Sequence, residues 1–184
     1  MIQEILFNPF KKLAGSKALG IGLAILLVTA VIAGFSHCHF DGALDAHMGA
    51  DLPAWVYYLE ALIAWGITAL VFYLTGVIFS TSKIRLVDVL GTTALARYPF
   101  FFMAILGFGM PEPTSSVGLP FANTYIVISL LSVLIAIWNI ALLYHAFSVS
   151  CNLKKSKGVK AFIVALIVAE IISKIAFYFL YLNF

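Results

Sequence analysis

The chain has 184 residues, of which 63% are hydrophobic and only 10% charged, and its mean hydropathy is +1.07. A soluble domain of this length needs far more polar surface, so the composition excludes one and leaves room for about five membrane helices of ~20 residues each. The net charge of +3 does not point to nucleic acid, because the basic residues flank apolar runs instead of forming a patch.

Residues 1–17 form a first, interfacial segment. Asn8 is placed to cap a helix with Pro9 at its first position. Ile5, Leu6, Phe7, Phe10 and Leu13 interleave with Lys11 and Lys12, which suits a helix lying on the cytoplasmic leaflet; a frayed tail is the other reading. The apolar run that follows is longer than a signal-peptide core and ends in no clear cleavage site, so it is expected to be retained.

Five apolar spans are predicted, at about 18–36, 54–79, 86–108, 121–147 and 159–182. Each is long enough to cross ~30 Å of hydrocarbon as a helix, and helices satisfy their own backbone groups there. The fold class is therefore all-α, a polytopic bundle of five transmembrane helices in one domain over residues 18–184. Nine of the eleven Lys and Arg lie in the N-terminal segment and in the second-to-third and fourth-to-fifth connections. The intervening connections, 37–53 and 109–120, carry Asp41, Asp45, Asp51 and Glu112 but no Lys or Arg. The positive-inside rule then puts the N-terminus in the cytoplasm and the C-terminus outside. Cys38 and Cys151 fall on opposite sides and are not expected to pair.

Ionisable residues inside spans cost roughly 2.5–3.5 kcal/mol each on insertion scales, so they are the first candidates for function. Four lie clear of the span ends, Glu60, Arg97, Glu170 and Lys174, whereas Asp88, at the inner end of the third span, reads as a first-turn dipole partner. Depth along the spans suggests two pairs, Arg97 with Glu170 and Lys174 with Glu60. Such a cluster could bind an ion, a proton or a lipid headgroup; the alternative is an ion-pair network that fixes helix register. Pro99 should kink the third helix beside Arg97, with Thr92 and Thr93 available to the freed backbone groups. Trp138 and Asn139 read as packing and interhelical hydrogen bonding in the fourth span.

Residues 37–51 hold three His and three Asp. His37, His39, Asp41, Asp45 and His47 are candidate ligands for a divalent metal such as zinc, with Asp41 and Asp45, or His47 and Asp51, on one face of a short helix. No HExxH or paired CxxC pattern supports them, and a polar interfacial loop or a pH-responsive contact explains the same residues. No cofactor is otherwise expected. Ser148 and Ser150 lie in no nucleophile motif, so the chain is expected not to be an enzyme.

Asn8-Pro9-Phe10 before the first span, Ala94-Leu95-Ala96-Arg97-Tyr98-Pro99 in the third, Trp138 in the fourth, and Gly158-Val159-Lys160-Ala161-Phe162 opening the fifth stand together in a five-span chain. This pattern resembles the bacterial branch of the Yip-one (Ypt-interacting protein one) family. The resemblance implies a multi-pass inner-membrane protein with no catalytic residues to carry over. The Asp-Leu-Tyr-Gly-Pro stretch of the eukaryotic branch is missing, so Rab GTPase binding is not implied. The expected function is non-enzymatic: organising membrane, or binding lipid or a membrane-protein partner, with the basic face toward anionic headgroups. The alternative is a small transporter or channel subunit using the charged cluster, which would need a homo-oligomer because five helices enclose only a narrow pathway. Nucleic acid is not an expected partner.

Overall fold

A computed structural model of the chain describes residues 6–110 and 122–182. After a single 3-10 turn at Pro9–Lys11, helix α1 runs over Gly15–Ser36. A two-residue ribbon follows, β1 (Cys38–His39) and β2 (His47–Met48), and then α2 over Ala54–Phe79. The third span is two helices, α3 (Leu86–Ala96) and α4 (Pro99–Gly107); α5 covers Ala122–Ser150 and α6 Lys155–Tyr181. Five helical stretches are long and apolar enough to cross a membrane, as expected. Their outer faces carry exposed Leu70, Ile78, Leu134, Ile137, Val164 and Ile167, an apolar surface that water would not tolerate but lipid solvates. The protein is a multi-pass integral membrane protein.

The boundaries differ from the apolar runs in an instructive way. Helix α6 starts at Lys155, a turn before the expected 159, and α1 starts at Gly15 rather than 18. Lys155, Lys157, Lys160 and Lys17 are thus helical, because a helix continues beyond the hydrocarbon for as long as its backbone bonds are made. Lys157 reaches back to the Phe79 carbonyl at 2.7 Å, and Asn152 donates to Ser82 at 2.8 Å, so the two basic connections meet at one end of the bundle.

The split third span is the hub. Far more of it is buried than of any other span, and it packs against α1, α2 and α5. Pro99 has no N–H, so the Leu95 carbonyl loses its usual partner; it accepts from Tyr98 at 3.2 Å instead, and Arg97 donates to Ala94 at 3.3 Å. The chain passes through a tight turn at Arg97–Tyr98 and restarts at Pro99. The threonines do not serve the break as expected. Thr92 donates one turn back to Asp88 at 2.8 Å, and Thr93 has no hydroxyl partner among the described residues.

Helix α1 approaches α3 at backbone distance. A Cβ on Gly22 would lie 2.5 Å from the Leu95 nitrogen, and one on Gly91 would lie 2.4 Å from the Gly15 carbonyl oxygen. Small residues let membrane helices gain dispersion contacts that lipid cannot supply. Ala18 and Ala94 continue this seam and are also buried. Gly22→Val is therefore expected to destabilise the protein by about 1–3 kcal/mol, seen as a lower melting temperature in detergent. Gly20→Val, at a site with nothing within 4 Å, should leave it unchanged.

Candidate functional site

Residues 38–43 of the 37–53 connection are buried in the bundle, while His47, Ala50, Asp51 and Pro53 stay exposed. Helix α1 ends with His37 in the left-handed region (φ 52°), which turns the chain back on itself. β1 pairs antiparallel with β2, Cys38 opposite Met48 and His39 opposite His47. Residues 40–46 close this ribbon, and they enter the bundle. Phe40 stacks on Phe100 at 4.9 Å, and Ala43 is fully buried in the same core as Val71, Ala96 and Ala169. Irregular backbone at this depth is tolerated because protein, not lipid, surrounds it. The expected short helix with Asp41 and Asp45 on one face is therefore corrected: the segment is a re-entrant hairpin.

The four intramembrane charges are also partnered differently from the proposed pairs. Arg97 donates to the carbonyls of Gly42 at 3.1 Å and Ala43 at 3.3 Å, and lies over the Phe100 ring. Glu170 accepts the backbone N–H of Leu44 at 2.9 Å. Lys174 binds the carboxylates of Asp41 (2.7 Å) and Asp45. Glu60 accepts from the Phe40 N–H at 3.2 Å and the Tyr181 hydroxyl at 2.5 Å, and pairs with His39 at 2.7 Å. Arg97 does not bridge to Glu170, nor Lys174 to Glu60; the hairpin stands between them and supplies each with a partner. A Cβ on Gly42 would lie 2.4 Å from a Glu170 oxygen, so a glycine fits there.

The expected metal ligands are divided by this geometry. His37 lies 3.6 Å from Asp51. His39 is buried, with Nδ1 on Glu60 and Nε2 3.0 Å from the Ala50 carbonyl. Both ring nitrogens of His39 are thus committed. Asp41, Asp45 and His47 do place ligand atoms within 4.8 Å of one another. The Lys174 ammonium bonds both carboxylates of that group, so a divalent ion would have to compete with a covalently tethered cation.

The hairpin's titrating groups are mutually tuned. Burial opposes a charge on His39, yet the hydrogen bond and charge of Glu60 outweigh it and hold the imidazole above its ordinary value. His47 is raised chiefly by its bond to Asp45, and Asp45 is held below the usual carboxylate range chiefly by His47, with Lys174 adding to it. The rings of His47, His39 and Tyr57 stack in sequence, at 5.6 and 4.8 Å.

A second segment is anchored from the opposite end. The Leu6 carbonyl accepts from the Tyr98 hydroxyl at 2.8 Å and from Trp138 Nε1 at 2.7 Å, and Phe10 is buried. Asn8 does not cap the turn with its side chain; its amide lies 3.4 Å from His145 Nδ1. The described part of the N-terminal segment is thus docked against the third and fourth spans through Leu6 and Phe10. Trp138 bonds the N-terminal segment and not, as expected, another span, and Asn139, fully buried, has no partner for either amide atom among the described residues. Reasoning from sequence missed Tyr181 and the backbone of residues 42–44, which have no chemical signature outside the fold.

The family model described as the Yip1 domain matches residues 4–177 of the chain. No curated protein and no solved structure matches it significantly.

Two raised imidazoles give a signed expectation. Above pH 6.5, the reference value for both, the folded chain holds protons that the unfolded chain releases. Their contribution to stability is full below that pH and is lost as pH rises through the folded-state values. Asp45 acts in the opposite sense: its contribution is present above 3.8 and is lost as pH falls toward its lowered value. The melting temperature in detergent should therefore fall on going from about pH 6 to about pH 9, and His47→Gln should flatten that slope.

Proposed function

We propose that this chain, which belongs to the Yip1 domain family, is a non-enzymatic scaffold of the cell inner membrane that binds anionic lipid at its basic end and presents its apolar helices to other membrane proteins. Its N-terminus and basic connections would face the cytoplasm and its C-terminus the outside. One observation carries the choice of scaffold over transporter. The most buried charges, Glu60 and Arg97, are 1% and 4% exposed and are engaged by the protein's own hairpin. A transport site needs a wet path to its charges; here the hairpin fills the place of one, which favours a register lock.

The lipid side of the reading rests on the clustering of Lys11, Lys12, Lys17, Lys83, Lys154, Lys155 and Lys160 about the end of the bundle where the two basic connections meet. A basic residue near an anionic surface is worth ~1 kcal/mol, and several acting together select headgroup charge.

Protein purified in mild detergent is expected to retain phosphatidylglycerol or cardiolipin over phosphatidylethanolamine in native mass spectrometry. Replacing Lys154, Lys155 and Lys160 by Gln should remove that preference. Proteoliposomes should pass protons, sodium and potassium no faster than empty vesicles. A flux abolished by Glu170→Gln would overturn the scaffold reading in favour of transport, and equal retention of all headgroups would remove the lipid role.

A further inference from the structure

Met103, Leu106 and Gly107 share one face of helix α4, at i, i+3 and i+4, and Met110 follows in the turns past its end. The β1–β2 ribbon lies against that face. A Cβ on Gly107 would meet the Ser36 hydroxyl at 2.9 Å and the Cys38 Cβ at 3.3 Å, so the ribbon rests directly on the glycine. Side chains alternate along a strand. The pairing of Cys38 with Met48 therefore puts both on one face of the ribbon, and the rings of His39 and His47 stack on each other. Between ribbon, α4 and α5 is a cavity of about 170 Å³ whose walls include Cys38, His47, Met48, Met103, Met110 and Ser129.

The chain has four methionines and two cysteines. Every methionine after the first residue, and one of the cysteines, lines this single cavity. Cys38 and Met103 are buried, whereas Met48 and Met110 are half-buried, so the sulfur-lined space has both a sealed wall and a more accessible one. We propose that this cavity binds one soft monovalent metal ion, copper(I) or silver(I), through the thioethers of Met48, Met103 and Met110 and the sulfur of Cys38.

Thioether and thiol donors select such ions over zinc, calcium or magnesium. Thioethers carry no proton, so they are available as ligands at any pH. The flexible Met side chains can close on an ion smaller than the cavity, a freedom that branched residues lack. His47 also borders the cavity, but the Asp41 and Asp45 carboxylates that complete its group do not, and they suit harder ions and bond Lys174.

The test is anaerobic titration of the full chain in detergent with copper(I), in competition with a chromogenic copper(I) chelator, and with silver(I) by calorimetry. One equivalent per chain is expected, unaffected by excess zinc, with sulfur as the dominant scatterer in X-ray absorption. Met→Leu swaps conserve volume and should keep the fold, as melting temperature and elution volume would verify. Met48→Leu with Met103→Leu is expected to weaken copper(I) binding by roughly a hundredfold. Asp45→Asn, at a residue that does not line the cavity, should leave it unchanged. The proposal is overturned if the chelator removes all copper from the wild-type chain, if the double Met variant binds as tightly while folded, or if binding is lost in the Asp45 variant instead.

Discussion

Arg97 is the constraint around which the bundle is built. A guanidinium in the middle of a membrane span, 4% exposed, cannot go unpartnered, and it bonds two backbone carbonyls of a loop that has to enter the bundle to reach it. Once Gly42 and Ala43 are held there, the neighbouring residues follow. Leu44 presents its N–H to Glu170, Asp41 and Asp45 meet Lys174, and Phe40 and His39 arrive at Glu60. Four charges on three spans are thereby joined through one short stretch of chain. A network of this kind contributes little net stability but disfavours every register in which a charge loses its partner.

The same turn that aims Arg97 toward one end of the bundle aims Tyr98 toward the other. Pro99 interrupts the helical ladder, and the two residues before it adopt a tight turn between two helical halves. Arg97 takes the hairpin, and Tyr98, with Trp138, takes the carbonyl of Leu6 from the N-terminal segment. Two segments entering from opposite ends are thus anchored on adjacent residues. That arrangement gives a common physical basis to the Asn8-Pro9-Phe10 and Arg97-Tyr98-Pro99 stretches, which are far apart in sequence. It also makes the third span the most buried, with the other helices arranged around it and their Leu, Ile and Val faces turned to lipid.

The site was legible only in its ingredients. Glu60, Arg97, Glu170 and Lys174 stand out in an apolar sequence because ionisable residues there are rare and costly, and the structure does draw them into one network. Their partners could not be read in the same way, because helix depth matches side chain to side chain and ignores backbone. The Gly42 and Ala43 carbonyls and the Leu44 N–H are chemically identical to those of any other residue. His39 and His47 were visible as possible metal ligands, but Glu60 and Ala50 occupy the first, and Asp45 engages the second. The α1–α3 seam had a signal in the spacing of Ala18, Gly22 and Gly91, small residues that a hydropathy reading treats merely as apolar.

What the amino-acid order determined by itself was the number of spans, their limits to within about a turn, the break at Pro99 and the gathering of basic residues at one end. These depend on local quantities: the length of an apolar run, a missing N–H, the cost of moving a charge across lipid. Only the tertiary structure decided that residues 40–46 leave the polar surface for the core. A connection of seventeen residues between Ser36 and Ala54 can lie outside the membrane or fold inward with equal covalent ease. What settles it is the demand of buried charges on three different helices for hydrogen-bond partners, and that demand exists only once the helices are side by side.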